Sequence, residues 1–182
     1  KGEKQDNYVI SNELPLARKN KDEKGTDIFA VEMEKTDREG LPATLLFDEG
    51  DYDFYPHSAI EREYYISNHD QDNPKKLAMV LEDMSNLTID GQGANLYMNG
   101  RMLPIAMVNC ENCTIKNISI DTRIPQITQV VVVENNQNEG TITYRVTPDT
   151  KYKIDADGRF ITYGDNWDVH PVAGIAFDGN TG

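Results

Sequence analysis

Two similar stretches of the chain decide its fold: MSNLTID at residues 84–90 and CENCTIK at residues 110–116. Asn86 and Asn112 hold the same place in the two stretches and are 26 residues apart. A period of roughly 20–30 residues is typical of solenoid proteins, which stack one structural unit on the next. The repeat predicts an all-β right-handed single-stranded parallel β-helix, in which one period is one coil. It also predicts that the Asn side chains form a ladder between coils.

The charge balance and the apolar pattern narrow the class of protein. The 182 residues, enough for one domain, include 18 Lys and Arg against 31 Asp and Glu, a net charge of −13. We expect neither nucleic acid nor an anionic membrane surface as a partner, because nothing would neutralise phosphates. No apolar run reaches the ~20 residues that a membrane-spanning helix needs, and no secretory signal is visible.

The pattern along the chain predicts four segments. Residues 1–25 are a polar leader, expected to be a tail or irregular. Residues 26–126 hold an N-terminal helical cap and the first β-helix coils, with the helix starting at Thr26 or Asp27 and stopped by Gly40. Residues 127–166 alternate as hairpins and predict an inserted antiparallel β subdomain. Residues 167–182 are expected to return to the β-helix, with the chain being a fragment of a longer protein.

Within the coils, glycine and cysteine mark special positions. Strands are predicted at residues 44–47, 52–55, 77–81, 87–90, 95–98, 105–108 and 114–121, and residues 90–93 (DGQG) are predicted as a glycine corner between two of them. Cys110 and Cys113 have the spacing of a redox pair or half a zinc site. They also occupy positions where small apolar side chains would pack in a coil, which is the interpretation we favour.

A set of motifs in a fixed order resembles one enzyme family. The motifs are FDEGDYDFYP (47–56), YYISNHDQ (64–71), NLTIDGQG (86–93), GRMLP (100–104) and ISID (118–121). The series is similar to the N-terminal third of the α-1,3-galactosidases of glycoside hydrolase family 110, known from gut bacteroides-type bacteria. NLTIDGQG alone is common in pectin-lyase-like β-helices and supports only the fold. The ordered set is more specific.

The resemblance implies an exo-acting hydrolase that removes terminal α-1,3-linked galactose with inversion and without a metal ion or other cofactor. Inverting glycosidases need a carboxylic acid and a carboxylate about 6.5–9.5 Å apart. In this family those aspartates are expected in later coils, so the catalytic residues would lie C-terminal to this chain and the fragment alone would be inactive. The implied partners are terminal α-galactosyl glycans and the remaining C-terminal β-helix of the same protein. The implied location is outside the cell membrane, in the periplasm or on the cell surface, where a lipoprotein anchor is one option.

Five residues are substrate-binding candidates, each with a structural alternative. Asp121 ends a coil strand, where solenoid enzymes often present ligand-binding side chains. Arg101 either reaches a sugar groove or pairs with Asp121 or Glu82. His69 and Asp70 lie in a polar turn and either bind sugar hydroxyls or hold the local backbone. Trp167, the only tryptophan, either stacks on a galactose face or fills space between the hairpins and the solenoid. Three scattered histidines offer no metal-ligand spacing.

Two other functions remain open at the level of sequence. One is a non-catalytic glycan-binding or structural β-solenoid. The other is a different β-helix enzyme, such as a polysaccharide hydrolase of the polygalacturonase type or a lyase. An enzyme acting on polygalacturonate would favour a basic groove or bound Ca²⁺, whereas this acidic chain favours a neutral sugar.

Overall fold

A computed structural model describes residues 42–67 and 72–179, together with the backbone of four short N-terminal strands. The chain divides into two compact units, residues 1–123 and residues 124–182. Both units are built from β-strands. In the described part of the chain, the one helix is a single 3₁₀ turn at Pro56–Ser58, started by proline.

Sixteen strands follow one another in the part of the chain that the structure describes. The first unit contains β1 Asp6–Ile10, β2 Asn20–Lys21, β3 Asp27–Ile28, β4 Val31–Met33, β5 Ala43–Phe47, β6 Asp51–Phe54, β7 Ile60–Arg62, β8 Lys75–Glu82, β9 Leu87–Met98, β10 Leu103–Val108 and β11 Thr114–Thr122. The second unit contains β12 Val130–Asn136, β13 Thr141–Val146, β14 Tyr152–Ile154, β15 Phe160–Gly164 and β16 Trp167–Val169.

Parallel pairing dominates the first unit and follows the sequence repeat. Strand β11 lies beside β9 with Thr114 opposite Thr88, and β10 lies beside β8 with Leu103 opposite Leu77. Strands β5 and β6 both pair in parallel with β9, at its beginning and its end respectively. In the first sheet the strand order is β1, β5, β9, β11, and β6 also pairs with β9. In the second sheet the order is β10, β8, β4, and β7 also pairs with β8.

The core of the first unit lies under these parallel strands. Alternate side chains of β9 are buried, among them Leu87, Ile89, Leu96 and Met98, and Phe47 joins them with no exposed surface. Strand β8 is buried almost throughout because both its faces are covered, as expected for a strand inside a parallel arrangement. Each fully buried aliphatic or aromatic side chain contributes about 1.5–3 kcal/mol relative to its exposed state.

The predicted glycine corner at residues 90–93 is wrong, because β9 runs unbroken through it. The backbone bends there instead, with φ of +50° at Gln92 and +93° at Gly93. In the neighbouring strand the register with β9 shifts between Lys116 and Ile118. A Cβ at Gly91 would lie 2.5 Å from the backbone oxygen of Asn117 and 2.2 Å from Ile118 Cγ1. Gly91 is therefore required for the two strands to approach, rather than for a corner.

The Asn ladder predicted from the repeat is confirmed at its first rung. The Nδ2 of Asn112 donates to Oδ1 of Asn86 at 3.3 Å, and both residues have the left-handed backbone that Asn tolerates, with φ of +52° and +54°. Asn109 and Asp83 form an equivalent hydrogen-bonded pair with the same separation of 26 residues. Cys110 and Cys113 are half-buried free thiols that pack against the core, as the packing interpretation predicted.

The predicted helical cap is contradicted. Asp27–Ile28 and Val31–Met33 are strands, and the remaining positions of the expected helix lie outside the described residues. Strand β4 pairs in parallel with the buried strand β8, Val31 opposite Met79. β-Branched Ile28 and Val31 suit a strand, and the hydrogen bonds offered by β8 outweigh the weak helical preference of this segment.

The polar leader is also more ordered than expected at one point. Residues Asp6–Ile10 form β1, which pairs in parallel with β5, Tyr8 opposite Leu45. The reason is the short apolar run at residues 8–10, which can continue the sheet although its flanks are charged. The described residues of the leader thus include a strand of the first sheet where the sequence suggested an irregular segment.

The second unit is antiparallel, as the alternating pattern predicted. Strands β12 and β13 form one hairpin, and β14, β15 and β16 form a three-stranded sheet. Thr162, fully buried, exchanges a 2.8 Å hydrogen bond with Thr128. The side chains of Val131, Val132 and Val133 are more than half exposed.

The expected return to the β-helix at residues 167–182 is not what the described residues show. Trp167–Val169 is the third strand of the antiparallel sheet, joined to β15 by a tight turn in which Asn166 has φ of +56°. No strand lies in residues 170–179, the last residues that the structure describes, where Ile175 and Phe177 are 83% and 75% exposed. A strand requires a neighbour to receive its backbone hydrogen bonds, and this segment has no pairing partner in the part of the chain that the structure describes.

Candidate functional site

Polar side chains cover the outer face of the first sheet, opposite its core. Alternation along β9 buries Leu96 and Met98 and turns Asn95 and Tyr97 outward. In the neighbouring strands, Asp53 and Asp121 stand directly opposite Tyr97. Asp53, Tyr97, Asp121 and Arg123 are called the outer polar row here, and their order across the sheet follows from the parallel registers.

Arg123 clamps this row. Its Nε and Nη2 donate to the two oxygens of Asp53 at 2.8 and 3.0 Å, and its Cζ lies 3.5 Å from the centroid of the Tyr97 ring. Such a bidentate pair with a stacked aromatic ring is the strongest form of Arg–carboxylate contact. Asn99 donates a further hydrogen bond of 2.8 Å to Asp53. The cluster ties residues of three chain segments to one another.

The hydrogen bonds between Arg123 and Asp53 favour the charged form of both side chains. Partial burial alone would raise the pKa of Asp53, but the hydrogen bonds from Arg123 and Asn99 outweigh it and hold that pKa below its ordinary value. The hydrogen bonds to Asp53 raise the pKa of Arg123 in turn. An aspartate held in the ionised form is a hydrogen-bond acceptor and cannot serve as the proton donor of a glycosidase near neutral pH.

Asp121 differs from Asp53 in having room for a ligand. Its side chain is exposed, and its Oδ1 accepts one hydrogen bond of 2.7 Å from the backbone N–H of Thr122. An ionised carboxylate has about four lone-pair sites, so most of this acceptor capacity stays open to solvent. The arrangement of Asp121 beside the Arg123 clamp is suited to binding hydroxyl groups.

Tyr64 and Glu82 form a second polar cluster, on the other sheet of the same unit. The Tyr64 hydroxyl and the Nε of Arg62 donate to the two oxygens of Glu82. Burial, and then the hydrogen bond to Glu82, raise the pKa of Tyr64 to about 12, and the hydrogen bond from Tyr64 lowers the pKa of Glu82. This cluster joins β8 to the segment after β7 and presents no raised-pKa carboxyl group.

The other predicted site residues are dispersed. Arg101 is exposed in the bend between β9 and β10, while His69 and Asp70 lie outside the described residues. Trp167 belongs to the second unit and is half-buried, with its ring against Gly164, where a Cβ would lie 2.3 Å from Nε1. That nitrogen is buried and has no hydrogen-bond partner in the described part of the chain, so the contacts of Trp167 within its own hairpin are packing contacts. The binding roles of all five candidates stay predictions.

Three members of the outer polar row, Asp53, Tyr97 and Arg123, were not anticipated from the sequence. The available signal was the alternation of polar and apolar residues, because Asp51 and Asp53 alternate with Tyr52 and Phe54, and Asp121 and Arg123 follow Ile120. Their proximity required the strand registers. Among the described residues, no group of three or more His, Cys, Asp or Glu side chains is placed to hold a metal ion.

Comparison with known proteins matches the two units to one group of enzymes. Residues 128–182 match the family described as GLAA-B beta-barrel domain I. The chain is 49% identical over 144 residues to Alpha-1,3-galactosidase B of Phocaeicola vulgatus and 50% identical over 143 residues to Alpha-1,3-galactosidase B of Parabacteroides distasonis, which is 79% of this chain in each case. It is 35% identical over 153 residues, 80% of the chain, to Alpha-1,3-galactosidase A of Bacteroides thetaiotaomicron.

The matches cover 24%, 23% and 26% of these three relatives, so the chain spans about a quarter of the length of the curated relatives that it matches. The similarity extends over about four-fifths of the chain, in agreement with the family resemblance that the ordered motifs indicate. This chain is therefore homologous to part of the bacterial proteins named Alpha-1,3-galactosidase, and its residues 128–182 match the GLAA-B beta-barrel domain I family.

Proposed function

We propose that the chain is the N-terminal part of an exo-acting α-1,3-galactosidase that removes terminal α-1,3-linked galactose from glycans. The observation that carries this proposal is the 49% identity over 79% of the chain to a protein named Alpha-1,3-galactosidase B. It favours the galactosidase over a different β-helix hydrolase or lyase.

The first unit is proposed to be the beginning of a right-handed parallel β-helix that later coils continue. Support comes from the parallel ladders, in which Thr88 faces Thr114 and Leu77 faces Leu103, each pair one sequence repeat apart. Further support comes from the Asn86–Asn112 rung, which marks the same point of two successive repeats. The antiparallel second unit is proposed to be inserted into this solenoid.

The proposed chemistry is inverting hydrolysis without a metal ion. It requires one carboxyl group that is protonated near neutral pH and a second that activates water across the sugar ring. Within the described residues, the carboxyl groups with a displaced pKa all have it lowered: Asp53, Glu82, Asp90 and Asp155. This supports the proposal that the catalytic pair lies C-terminal to this chain and that the chain alone is inactive.

The proposed setting is an exported bacterial protein, in the periplasm or on the cell surface, acting on neutral glycans. The net charge of −13 fits a neutral substrate better than an anionic polysaccharide. Among the described residues, no helix is both long enough and apolar enough to cross a membrane.

Hydrolysis of an α-1,3-galactosyl disaccharide tests the proposal. The longer protein that contains this sequence should release galactose, and the 182-residue chain, as the matched control, should not. Proton NMR during the first minutes should show β-galactose as the first product, and a chelator should leave the rate unchanged. Activity on oligogalacturonate with none on the disaccharide would overturn the proposal, and turnover by the short chain would refute the placement of the catalytic residues.

A further inference from the structure

An open cleft on the second unit has the size and chemistry of a small-molecule site. It lies on one side of the sheet formed by β14, β15 and β16 and has a volume of about 440 Å³, within the range of roughly 300–1,000 Å³ that ligand pockets usually have. Its lining includes Lys153, Asp155, Arg159, Ile161, Asp168 and His170.

One wall of the cleft is a rigid turn. The carboxylate of Asp155 accepts a hydrogen bond of 2.8 Å from the guanidinium of Arg159 and others of 2.8 and 3.0 Å from the backbone N–H groups of Arg159 and Asp157. Arg159 donates a second side-chain bond, of 2.9 Å, to Asp157. These bonds hold the turn between β14 and β15, so the cleft is preorganised on this side. The guanidinium keeps N–H donors beyond the two that it uses here.

Three further groups have hydrogen-bonding capacity that the fold does not use. In residues 42–67 and 72–179, the exposed carboxylate of Asp168 has no hydrogen-bond or ion-pair partner. The ammonium of Lys153 lies 5.6 Å from the centroid of the Tyr163 ring. His170 uses Nδ1 to donate to the carbonyl oxygen of Phe160 at 2.9 Å, which leaves Nε2 as an acceptor in the neutral imidazole.

The charges of the lining select the kind of ligand. Lys153 and Arg159 balance the charges of Asp155 and Asp168, so the cleft attracts neither anions nor cations strongly. The lining combines hydrogen-bond donors and acceptors with the aliphatic side chain of Ile161, a combination that matches a molecule with several hydroxyl groups on an apolar ring.

We propose that this cleft is an ancillary binding site for a neutral hexose, separate in function from hydrolysis. In it, sugar hydroxyls donate to Asp168 and to Nε2 of His170 and accept from Lys153, while ring C–H groups pack on Ile161. The proposal does not rest on the galactosidase activity, because it concerns binding by the second unit, which is measured without turnover. A subsite of this kind would hold the protein on a glycan near its hydrolysable ends.

NMR titration of the ¹⁵N-labelled 182-residue chain with methyl α-D-galactopyranoside tests the site. A ligand of about a dozen heavy atoms is expected to bind with a dissociation constant in the millimolar range, so titration to about 50 mM is sufficient. Amide shifts should concentrate at Lys153, Asp168 and His170. Asp168→Asn and Lys153→Gln should each weaken binding about tenfold or more, the effect of losing one charge-assisted hydrogen bond.

The control variant is Asp149→Asn, which removes the same charge from an exposed position of the same unit outside the lining and should bind as the unchanged chain does. Retained dispersion of the amide spectrum verifies that each variant folds, and both substituted cleft residues are exposed. Absence of shifts at the highest sugar concentration, or shifts that persist in both cleft variants, would overturn the proposal. Shifts at these amides caused by inorganic sulfate but not by the sugar would also overturn it, because they would identify an anion site.

Discussion

Removing the charge of Arg123 should destabilise the first unit by about 1–2 kcal/mol. In Arg123→Met, Asp53 loses two hydrogen bonds of 2.8 and 3.0 Å, and the Tyr97 ring loses its cation contact. Hydrogen bonds to charged groups contribute about 1.5–3 kcal/mol and an exposed cation–π contact about 0.5–1 kcal/mol. The two charged side chains are 38% and 29% exposed, so solvent screening reduces these contributions.

The destabilisation should depend on pH in a defined direction. The folded-state pKa of Asp53 is lowered, so the stability that its ionised form contributes is present above the pKa of an unfolded aspartate, about 3.9, and is lost as the pH falls through the folded value. The difference in unfolding free energy between the unchanged chain and Arg123→Met should therefore be full near pH 7 and shrink as the pH falls below about 4.

Hydrogen exchange of the β9 and β11 amides in urea is the appropriate assay, because the only tryptophan lies in the second unit and would not report on the first. Lys76→Met is the matched control, since it breaks an exposed ion pair with Glu61 in the same unit and should cost less than about 0.5 kcal/mol. A double-mutant cycle of Arg123→Met with Asp53→Asn should give a coupling of about 1 kcal/mol. A coupling near zero at pH 7 would refute the reasoning.

Three other substitutions test separate parts of the structure. Gly91→Ala should destabilise the first unit by about 1–3 kcal/mol or more in urea unfolding, because the new Cβ would lie 2.2 Å from Ile118 Cγ1, and an unchanged midpoint would contradict the close approach of these strands. Tyr64→Phe should lose the tyrosine that ionises near pH 12, seen as a smaller absorbance change at the alkaline end of the titration. The stability that the Tyr64–Glu82 hydrogen bond contributes is present below about pH 10 and declines towards pH 12, so the stability difference from Tyr64→Phe should decline with it. Asp121→Asn in the longer protein should raise KM for the α-1,3-galactosyl disaccharide if Asp121 binds sugar, and unchanged turnover and KM would remove it from the candidates.

The repeat could be recognised in the sequence because the same structural requirement recurs at Asn86 and Asn112. Asn86 and Asn112 both adopt a left-handed backbone and hydrogen-bond to each other, so the same residue type is needed in successive repeats. Apolar side chains at matching positions, such as Ile89 and Ile115, pack against one core. Local patterns of this kind predicted the positions of most strands of the first unit.

The predictions that the structure contradicts concern segments whose conformation depends on residues far away in the sequence. Val31–Met33 is a strand because β8 offers a parallel edge 48 positions further along, as the Val31–Met79 pairing shows. The close approach of β9 to β11 at Gly91 depends on the backbone of Asn117, which no pattern near Gly91 reveals. Arg123 and Asp53, 70 residues apart, meet only because β6, β9 and β11 have fixed registers.

The two aspartates of the outer polar row differ in what they can bind: Asp53 is occupied by structural hydrogen bonds, whereas Asp121 has acceptor capacity left for a ligand. Asp53 accepts hydrogen bonds on both oxygens from Arg123 and Asn99, and a carboxylate satisfied in this way gains little from a sugar hydroxyl. Asp121 stands opposite Tyr97 on the other side, is exposed, and accepts only a backbone N–H among the described residues. A ligand reaching this face therefore meets an unsatisfied acceptor at Asp121, while the Arg123 clamp keeps the three strands in the register that places it there. Asp121, the binding candidate, lies near the end of β11, and Arg123, its structural support, is the residue directly after that strand.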